Sequence, residues 1–393
     1  MPGPLVLLFL AVTAVTTAAE PPVHPFFDGD AVHEIRLTFE SPNWYEKLRV
    51  NFEGQADPEY AETTLAWRDG KTLERAGVRF KGNSSYRSYP GQKKSFKIKT
   101  NAFVKGQRID GLDTINLNNS FKDPSYLREK LYYELARASG LAAPRTNYAA
   151  LYVNDEYWGL YFLTEDVDGQ FLGHHIGEKE DGNLYKGEPR GTLQWRGPDV
   201  RFFKQEYEKA NHEKQDDWSD LIEFVSALNN SPREGVRERL EALMDVESAV
   251  SLVALDMALA NLDSYVGSGH NYYLYRRDSD RRFQFVPWDP NEAFGNFNLG
   301  LTVPDLQNLP LFWLQRPQPM PGGAPFPPIA VVPRPLAQRL WETPEFRLAY
   351  VKKMQWLIDG PLEPDALVER MQALQELAGP FVEREQRSMF SFD

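Results

Sequence analysis

The stretch FVPWDPNEAFG, Phe285 to Gly295, decides how this chain is read. It follows a run, RRFQ, that reads as a strand, so Asp289 sits just past a strand end. Pro290 stands directly behind that acid, and Phe294-Gly295 follows five residues later. Asp, Pro, Asn and Gly are all turn formers, and a plain turn is one reading. The other is a metal-holding carboxylate at a strand end, aimed by a stiff proline turn.

Composition narrows the field. The chain has 393 residues, 42% hydrophobic and 13% aromatic, which suits a globular protein with room for two lobes. Forty-four basic residues stand against 56 acidic ones, a net charge of −12, which argues against a nucleic-acid binder. Cysteine is absent, so disulfides, thiolate ligands and a Cys nucleophile are excluded. The N-terminus, MPGPLVLLFLAVTAVTTAA, carries a short apolar run followed by small residues, the pattern of a signal peptide over 1–19. No later stretch is apolar for long enough to span a bilayer, so no transmembrane segment is expected in the mature chain. A secreted, periplasmic or cell-surface location follows as the expectation.

Along the chain the first half is strand-rich and the second mostly helical. HEIRLTFE (His33–Glu40), GVRFKG (Gly77–Gly82) and KSFKIK (Lys94–Lys99) alternate with period two, and TINLNN (Thr114–Asn119) reads as a further short strand. A helix is expected from Asp123-Pro124, a cap followed by a proline in the first turn, to Gly140. NYAALYVNDEYWGLYFLTED reads as a hairpin about Asn154-Asp155. Three apolar-periodic segments between Trp218 and Asp263 read as helices, and HNYYLYRR with RRFQFVPW as a second hairpin. From Pro304 to Pro335 the chain holds ten of its 29 prolines, which forbids regular structure over most of that length. Two helices end the chain. The expected fold class is α+β, with a β-rich lobe holding one helix over 30–170 and a mainly helical lobe over 171–393.

Phosphoryl transfer needs a cation on the phosphates, a carboxylate to orient the attacking hydroxyl, and oxygen ligands for magnesium. NLDSYVGSGHN, Asn261 to Asn271, follows a helix and precedes a strand. Asp263 there suits the orienting acid and Asn271 a metal-facing amide, while Asp289 occupies the next strand end. Each alone is an ordinary cap or turn residue. Their joint order carries the reading.

At these residues the chain resembles the spore-coat CotH family of atypical, secreted protein kinases. The resemblance rests on RFKGNSS (Arg79–Ser85), KKSFKIK (Lys93–Lys99), LNNSFKDPSYLREKL (Leu117–Leu131) and GLYFLTEDVD (Gly159–Asp168). NLYKGE (Asn183–Glu188), NLDSYVGSGHNYYLYR (Asn261–Arg276) and FVPWDPNEAFG complete the series in the family's order. It implies a two-lobed, kinase-like fold that binds ATP with Mg2+ or Mn2+ and phosphorylates a protein (Ser/Thr) or other hydroxyl-bearing acceptor outside the cytoplasm. By motif match Asp263 is the catalytic-loop acid, Asp289 the metal-binding acid and Asn271 a second metal ligand. The Gly82-Asn83-Ser84-Ser85 turn suits phosphates, because glycine allows close backbone approach and hydroxyls donate. Lys94 shares a face with Phe96 and Ile98 and is the first choice for a phosphate-contacting ammonium, with Lys97 in reserve. Glu165 and Asp168 fall where the chain would leave the last strand toward adenine and ribose. The family's late motif often carries a second acid two residues after the first, where this chain has Asn291, a neutral oxygen ligand with less charge to hold a metal.

Other chemistries lack their motifs. The six histidines form no HExxH, no GxSxG is present, and neither GxxxxGK[ST] nor GxGxxG occurs. A glycosidase pair hidden among the acids stays open. The alternative within the same fold is a non-catalytic pseudokinase or coat-type binding protein.

Overall fold

Period-two strands fill the first half of the chain, and seven of them close into a barrel. They are β1 (Val32–Thr38), β2 (Ala61–Trp67), β3 (Lys71–Lys81), β4 (Ser95–Lys99), β5 (Thr114–Asn118), β6 (Thr146–Val153) and β7 (Glu156–Glu165). Their order around the barrel is β1-β2-β3-β4-β5-β7-β6. The seam is the parallel pairing of β6 with β1, whose register runs from Val32 opposite Tyr148 to Leu37 opposite Val153. Every other pairing in the barrel is antiparallel. Alternate residues Val78, Phe80, Phe96, Ile98, Ile115, Leu117, Leu151 and Leu163 fill the interior. Asn154 and Asp155 both take positive φ, +48° and +65°, the type I′ turn that suits a two-residue hairpin. This structure is a computed structural model, and it describes residues 24–55, 58–177, 181–314 and 333–391. The expected signal peptide, 1–19, lies outside the described residues, as does 315–332 of the Pro-rich stretch.

The second half builds a smaller sheet on a helical base. Strands β8 (Leu184–Gly187), β9 (Tyr207–Lys209), β10 (Tyr272–Arg276) and β11 (Phe283–Pro287) lie in the order β11-β10-β8-β9. The β10–β11 hairpin matches the sequence reading. Strands β8 and β9 have four and three residues, too few to give a periodicity. Beneath the sheet the helix Val246–Ala258 is buried from Ser248 to Met257 on all sides, as a helix through the middle of a core must be. It packs with Ser219–Asn230, Pro335–Glu342 and Pro344–Asp359 around Phe224, Leu252, Leu255, Phe283 and Phe285.

Three details depart from the sequence reading. The helix expected from Asp123 starts at Arg128, because Tyr126 takes φ +55°, and it is not alone in the strand-rich half, where Trp44–Gly54 is a helix of the same length. The Asp123 carboxylate instead accepts from the Arg128 N–H at 2.9 Å and pairs with its guanidinium at 2.6 Å. The Pro-rich stretch is not wholly irregular. Thr302 and Asp305 form a capping box on a short helix, Val303–Gln307, and Pro335 opens another, each proline lying in the first turn where its missing N–H costs nothing. Finally, the last helix, Pro364–Glu383, returns to the barrel, where Leu374 and Ala378 pack on Tyr148 and Phe162.

Leu151, fully buried on the strand that closes the seam, tests the barrel. Leu151→Ala is expected to cost about 2–5 kcal/mol, read as a lower denaturation midpoint. A loss under about 1 kcal/mol would mean the seam is not packed as described.

Candidate functional site

Barrel and second sheet face each other across a cleft of about 510 Å3. Lys81, Gly82 and Lys97 line it from the barrel, and Asp263, Asn271 and Asp289 from the opposite wall. A wider cavity of about 1420 Å3 continues from it past Asp166 and Asp168 at the end of β7.

The acidic wall is built by one hairpin and one loop. Tyr272 opposes Pro287 in the β10–β11 register, so Asn271 and Trp288 extend the hairpin side by side, and the Trp288 N–H donates to the Asn271 carbonyl at 3.0 Å. Asn271 and Asp289 each take a positive φ, +61° and +50°, which is uncommon for residues other than glycine and concentrates at functional sites. The Asn271 Nδ2 donates to the Asp263 carbonyl at 2.7 Å and to its Oδ2 at 3.3 Å. That leaves Asn271 Oδ1 without a partner among the described residues. The Asp289 N–H donates to the Tyr133 hydroxyl at 3.1 Å, while its carboxylate is exposed and free of hydrogen bonds and ion pairs among the described residues. Asn291 donates through Nδ2 to the Phe121 carbonyl at 3.0 Å.

Asp263 has an environment unlike an ordinary surface acid. Burial, reinforced by the negative charges of Asp289 and Glu292, pushes its carboxyl up to about 7. His270 lies 3.7 Å away through Nε2 and shares a 2.7 Å hydrogen bond with Ser268 through Nδ1. Burial holds its imidazole below the usual histidine value, so it is neutral at pH 7.

The barrel wall supplies the cations. Lys81, at the end of β3, donates to Asn118 Oδ1 at 2.9 Å and lies over the Trp288 ring at 5.2 Å. Asn118 in turn donates to Glu129 at 2.7 Å, linking Lys81 to the helix Arg128–Ala138 through one amide. Burial lowers the Lys81 ammonium below the usual lysine value, against the attraction of Asp289 and Asp166. Lys97, on β4, pairs with Asp166 at 2.8 Å. Burial opposes its charge as well, but Asp166 prevails and raises it. Gly82 has φ +96°, and a Cβ there would fall 2.1 Å from Ser85 Oγ, so only glycine starts the Gly82–Ser85 turn along the cleft.

Two expected residues lie elsewhere. Lys94 shares its face with Phe96 and Ile98, but that face turns into the barrel, and the Lys94 ammonium donates to the carbonyls of Tyr86 and Tyr89. Glu165 is buried in an ion pair with Arg145 at 2.6 Å and a 2.7 Å hydrogen bond with His175, away from both cavities. The neighbouring Asp166 faces the cleft instead. Lys81 was overlooked although it stands in RFKG: Val78 and Phe80 are the apolar residues of that strand, so Arg79 and Lys81 share its other face. Lys122, paired with Glu292 at 2.7 Å across the cleft, had no local signal at all.

Residues 78–392 match the protein family described as CotH kinase protein. The chain belongs to that family. Among its relatives, the inner spore coat protein H of Bacillus subtilis (strain 168) is 27% identical over 209 residues, covering 52% of this chain and 55% of the relative. Invasin CotH2 of Rhizopus delemar is 23% identical over 220 residues, covering 50% of this chain and 35% of the relative. The match thus takes in about half or less of either curated relative. The crystal structure of a Helicobacter pylori proinflammatory kinase, CtkA, aligns over 81% of this chain and 90% of its own, at 10% identity and a TM-score of 0.26. So loose a superposition adds nothing to the geometry above.

The Asp263 environment has a pH consequence for this CotH kinase family member. A carboxyl near 4 in the unfolded chain and about 7 when folded contributes stability that is complete below pH 4 and is lost as pH rises through 7. Melting temperature without ligand is therefore expected to fall between pH 5 and 8, and Asp263→Asn to flatten that fall. An unchanged slope in the variant would contradict the burial assigned to Asp263.

Proposed function

We propose that this protein is a secreted, metal-dependent phosphotransferase that moves the γ-phosphate of ATP to a hydroxyl acceptor. In this reading the barrel and the helical half are the two lobes of a kinase-like fold. The observation that carries it is the meeting of Asp263, Asn271 and Asp289 with Lys81, Lys97 and the Gly82–Ser85 turn in one cleft. The family and the absence of competing motifs point the same way.

The oxygen set suits Mg2+ or Mn2+. One unpaired carboxylate, Asp289, and the unpartnered amide oxygens of Asn271 and Asn291 match a cation that takes its remaining ligands from phosphates and water. Among the described residues no group of three His, Asp or Glu stands close enough to cage a metal alone, which agrees with that division. When bound, the ion supplies charge neutralisation on the phosphates.

The protein's own groups do the rest. Lys81 and Lys97 offer ammonium groups to phosphate oxygens, and the backbone of Gly82–Ser85 covers them. Asp263 accepts a hydrogen bond from the attacking hydroxyl and orients it. Its raised value also leaves it able to take the proton near pH 7. Asp166 and Asp168 are nearer the nucleoside end than Glu165. The acceptor is a protein Ser/Thr or another hydroxyl outside the cytoplasm, in keeping with the signal-like N-terminus and with relatives named as a coat protein and an invasin. A second reading, a nucleotide-binding coat component without transfer activity, is favoured by Asn291 standing where the family pattern often has an acid.

Transfer of γ-labelled phosphate from ATP to a general acceptor, with Mg2+ or Mn2+, separates the two. Labelling by the wild type is expected, with losses of about a hundredfold or more in Asp263→Ala and Lys81→Met. Asp289→Ala is expected to abolish metal-dependent nucleotide binding with the fold intact. Metal-dependent binding without transfer would favour the second reading, and no nucleotide binding at all would sink both.

A further inference from the structure

Beside the strand residues Lys81 and Lys97, two loops line the barrel side of the cleft, and one short C-terminal segment contacts both. The first loop runs from Gly82 to Lys94 and the second from Asn119 to Leu127. Asn83, Ser84 and Ser85 of the first line the cleft, as do Asn119, Ser120, Phe121 and Lys122 of the second. Each loop has local hydrogen bonds, about Asp123 in the second and from the Lys94 ammonium to the Tyr86 and Tyr89 carbonyls in the first, and each also reaches a distant residue. Their common anchor is Glu385, 259 residues beyond Tyr126 in the chain.

Glu385 lies 2.6 Å from the Lys93 ammonium, and both side chains are 0% exposed. Lys93 also donates to the Tyr126 hydroxyl at 2.9 Å, and that hydroxyl donates to Glu385 Oε2 at 3.2 Å. The same Oε2 accepts the Leu160 N–H of β7 at 3.0 Å. The carboxylate thus joins three segments: the end of the first loop, the second loop and a barrel strand. Gly159 makes room for it, since at φ +144° a Cβ there would lie 2.9 Å from the Glu385 carboxyl carbon. Two residues on, Arg387 pairs with Glu156 at 2.6 Å, covers the Trp158 ring at 4.0 Å and accepts from the Tyr89 hydroxyl at 3.1 Å.

The hydrogen bonds continue to the acidic wall. Asn119 Nδ2 donates to the Lys93 carbonyl at 2.8 Å, tying the two loops together. Past Asp289, Asn291 donates to the Phe121 carbonyl at 3.0 Å and Asn296 to the Lys122 carbonyl at 3.3 Å, while Lys122 pairs with Glu292. An unbroken series of contacts therefore runs from Glu385 through Lys93 and Tyr126 to the segment behind the proposed metal ligand.

We propose that the segment Arg384–Arg387 is a clasp that holds the phosphate-side loops of the cleft in register, with Glu385 as its positioning residue. Displacing the clasp frees the loops and lowers the affinity of the cleft for nucleotide, so a partner or protease acting on the C-terminal segment would regulate the site. The regulation rests on the nucleotide-binding reading above; the ordering of the loops does not.

The test uses the full chain with Glu385→Gln and with the double change Lys93→Met/Glu385→Leu. The single change leaves a buried ammonium without its counter-charge and is expected to destabilise the protein. The double change removes both charges, so folding is retained while the Tyr126 hydroxyl loses its bonds to Lys93 and Glu385. Amide hydrogen exchange in the double variant is expected to quicken about tenfold over 119–127 and 289–297, with β1 and β2 unchanged. Metal-dependent nucleotide binding is expected to weaken by about tenfold alongside it. Faster exchange confined to 384–391 would overturn the clasp. Faster loop exchange with unaltered nucleotide affinity would overturn its regulatory part. If the wild type binds no nucleotide, the regulatory part falls with the proposed function, and the exchange data still decide whether the clasp orders the loops.

Discussion

A backbone hydrogen bond, from the Trp288 N–H to the Asn271 carbonyl at 3.0 Å, brings the acidic wall of the cleft together. The β10–β11 register forces it, and with it the proximity of Asn271 and Asp289, 18 positions apart in sequence. Both then turn through positive φ, which directs Asn271 back onto Asp263 and leaves the Asp289 carboxylate unengaged. Strain of this kind costs about 1–3 kcal/mol at each residue and persists only where the surroundings over-determine it. Here the hairpin ladder, the Tyr133 hydroxyl and the buried Val246–Ala258 helix beneath provide that support.

The charge of the cleft is divided between its walls. The barrel presents Lys81 and Lys97, each balanced by a buried polar or acidic group, and the opposite wall presents carboxylates. In a protein of net charge −12 a cleft lined only with acids would repel a nucleotide. Lys97 is paired with Asp166, while Lys81 has only the Asn118 amide between it and Glu129, so burial still outweighs the acids around Lys81. Beside this polar cleft a buried apolar cluster, Val167, Phe171 and Leu172 past β7 with Leu184, Tyr273, Tyr275 and Val286, joins the end of the barrel to the second sheet.

The misplacement of Lys94 has a simple cause. Alternation correctly groups Lys94 with Phe96 and Ile98, but a single strand does not reveal what lies on either side of it. Once the strands close into a barrel, the apolar face must turn inward, and the lysine at its end can only bend back to backbone carbonyls. Lys97, on the polar face, is left toward the cleft. The same rule applied to β3 brings out Lys81, because Val78 and Phe80 mark the inside. Glu165 and Asp166 differ by one position and hence by one face, so the last strand of the barrel sends one acid to Arg145 and the other to Lys97.

Local chemistry was legible where the physics is local. Strand alternation, the Asn154-Asp155 turn and the β10–β11 hairpin all arise from interactions between near neighbours in the chain. The parallel β1–β6 seam, the return of the last helix to the barrel and the Lys93–Glu385 pair arise from contacts between residues more than a hundred positions apart. Such contacts leave no mark on the periodicity of either partner. Only the closed barrel decides which face of each strand is dry, and therefore which lysine meets the cleft.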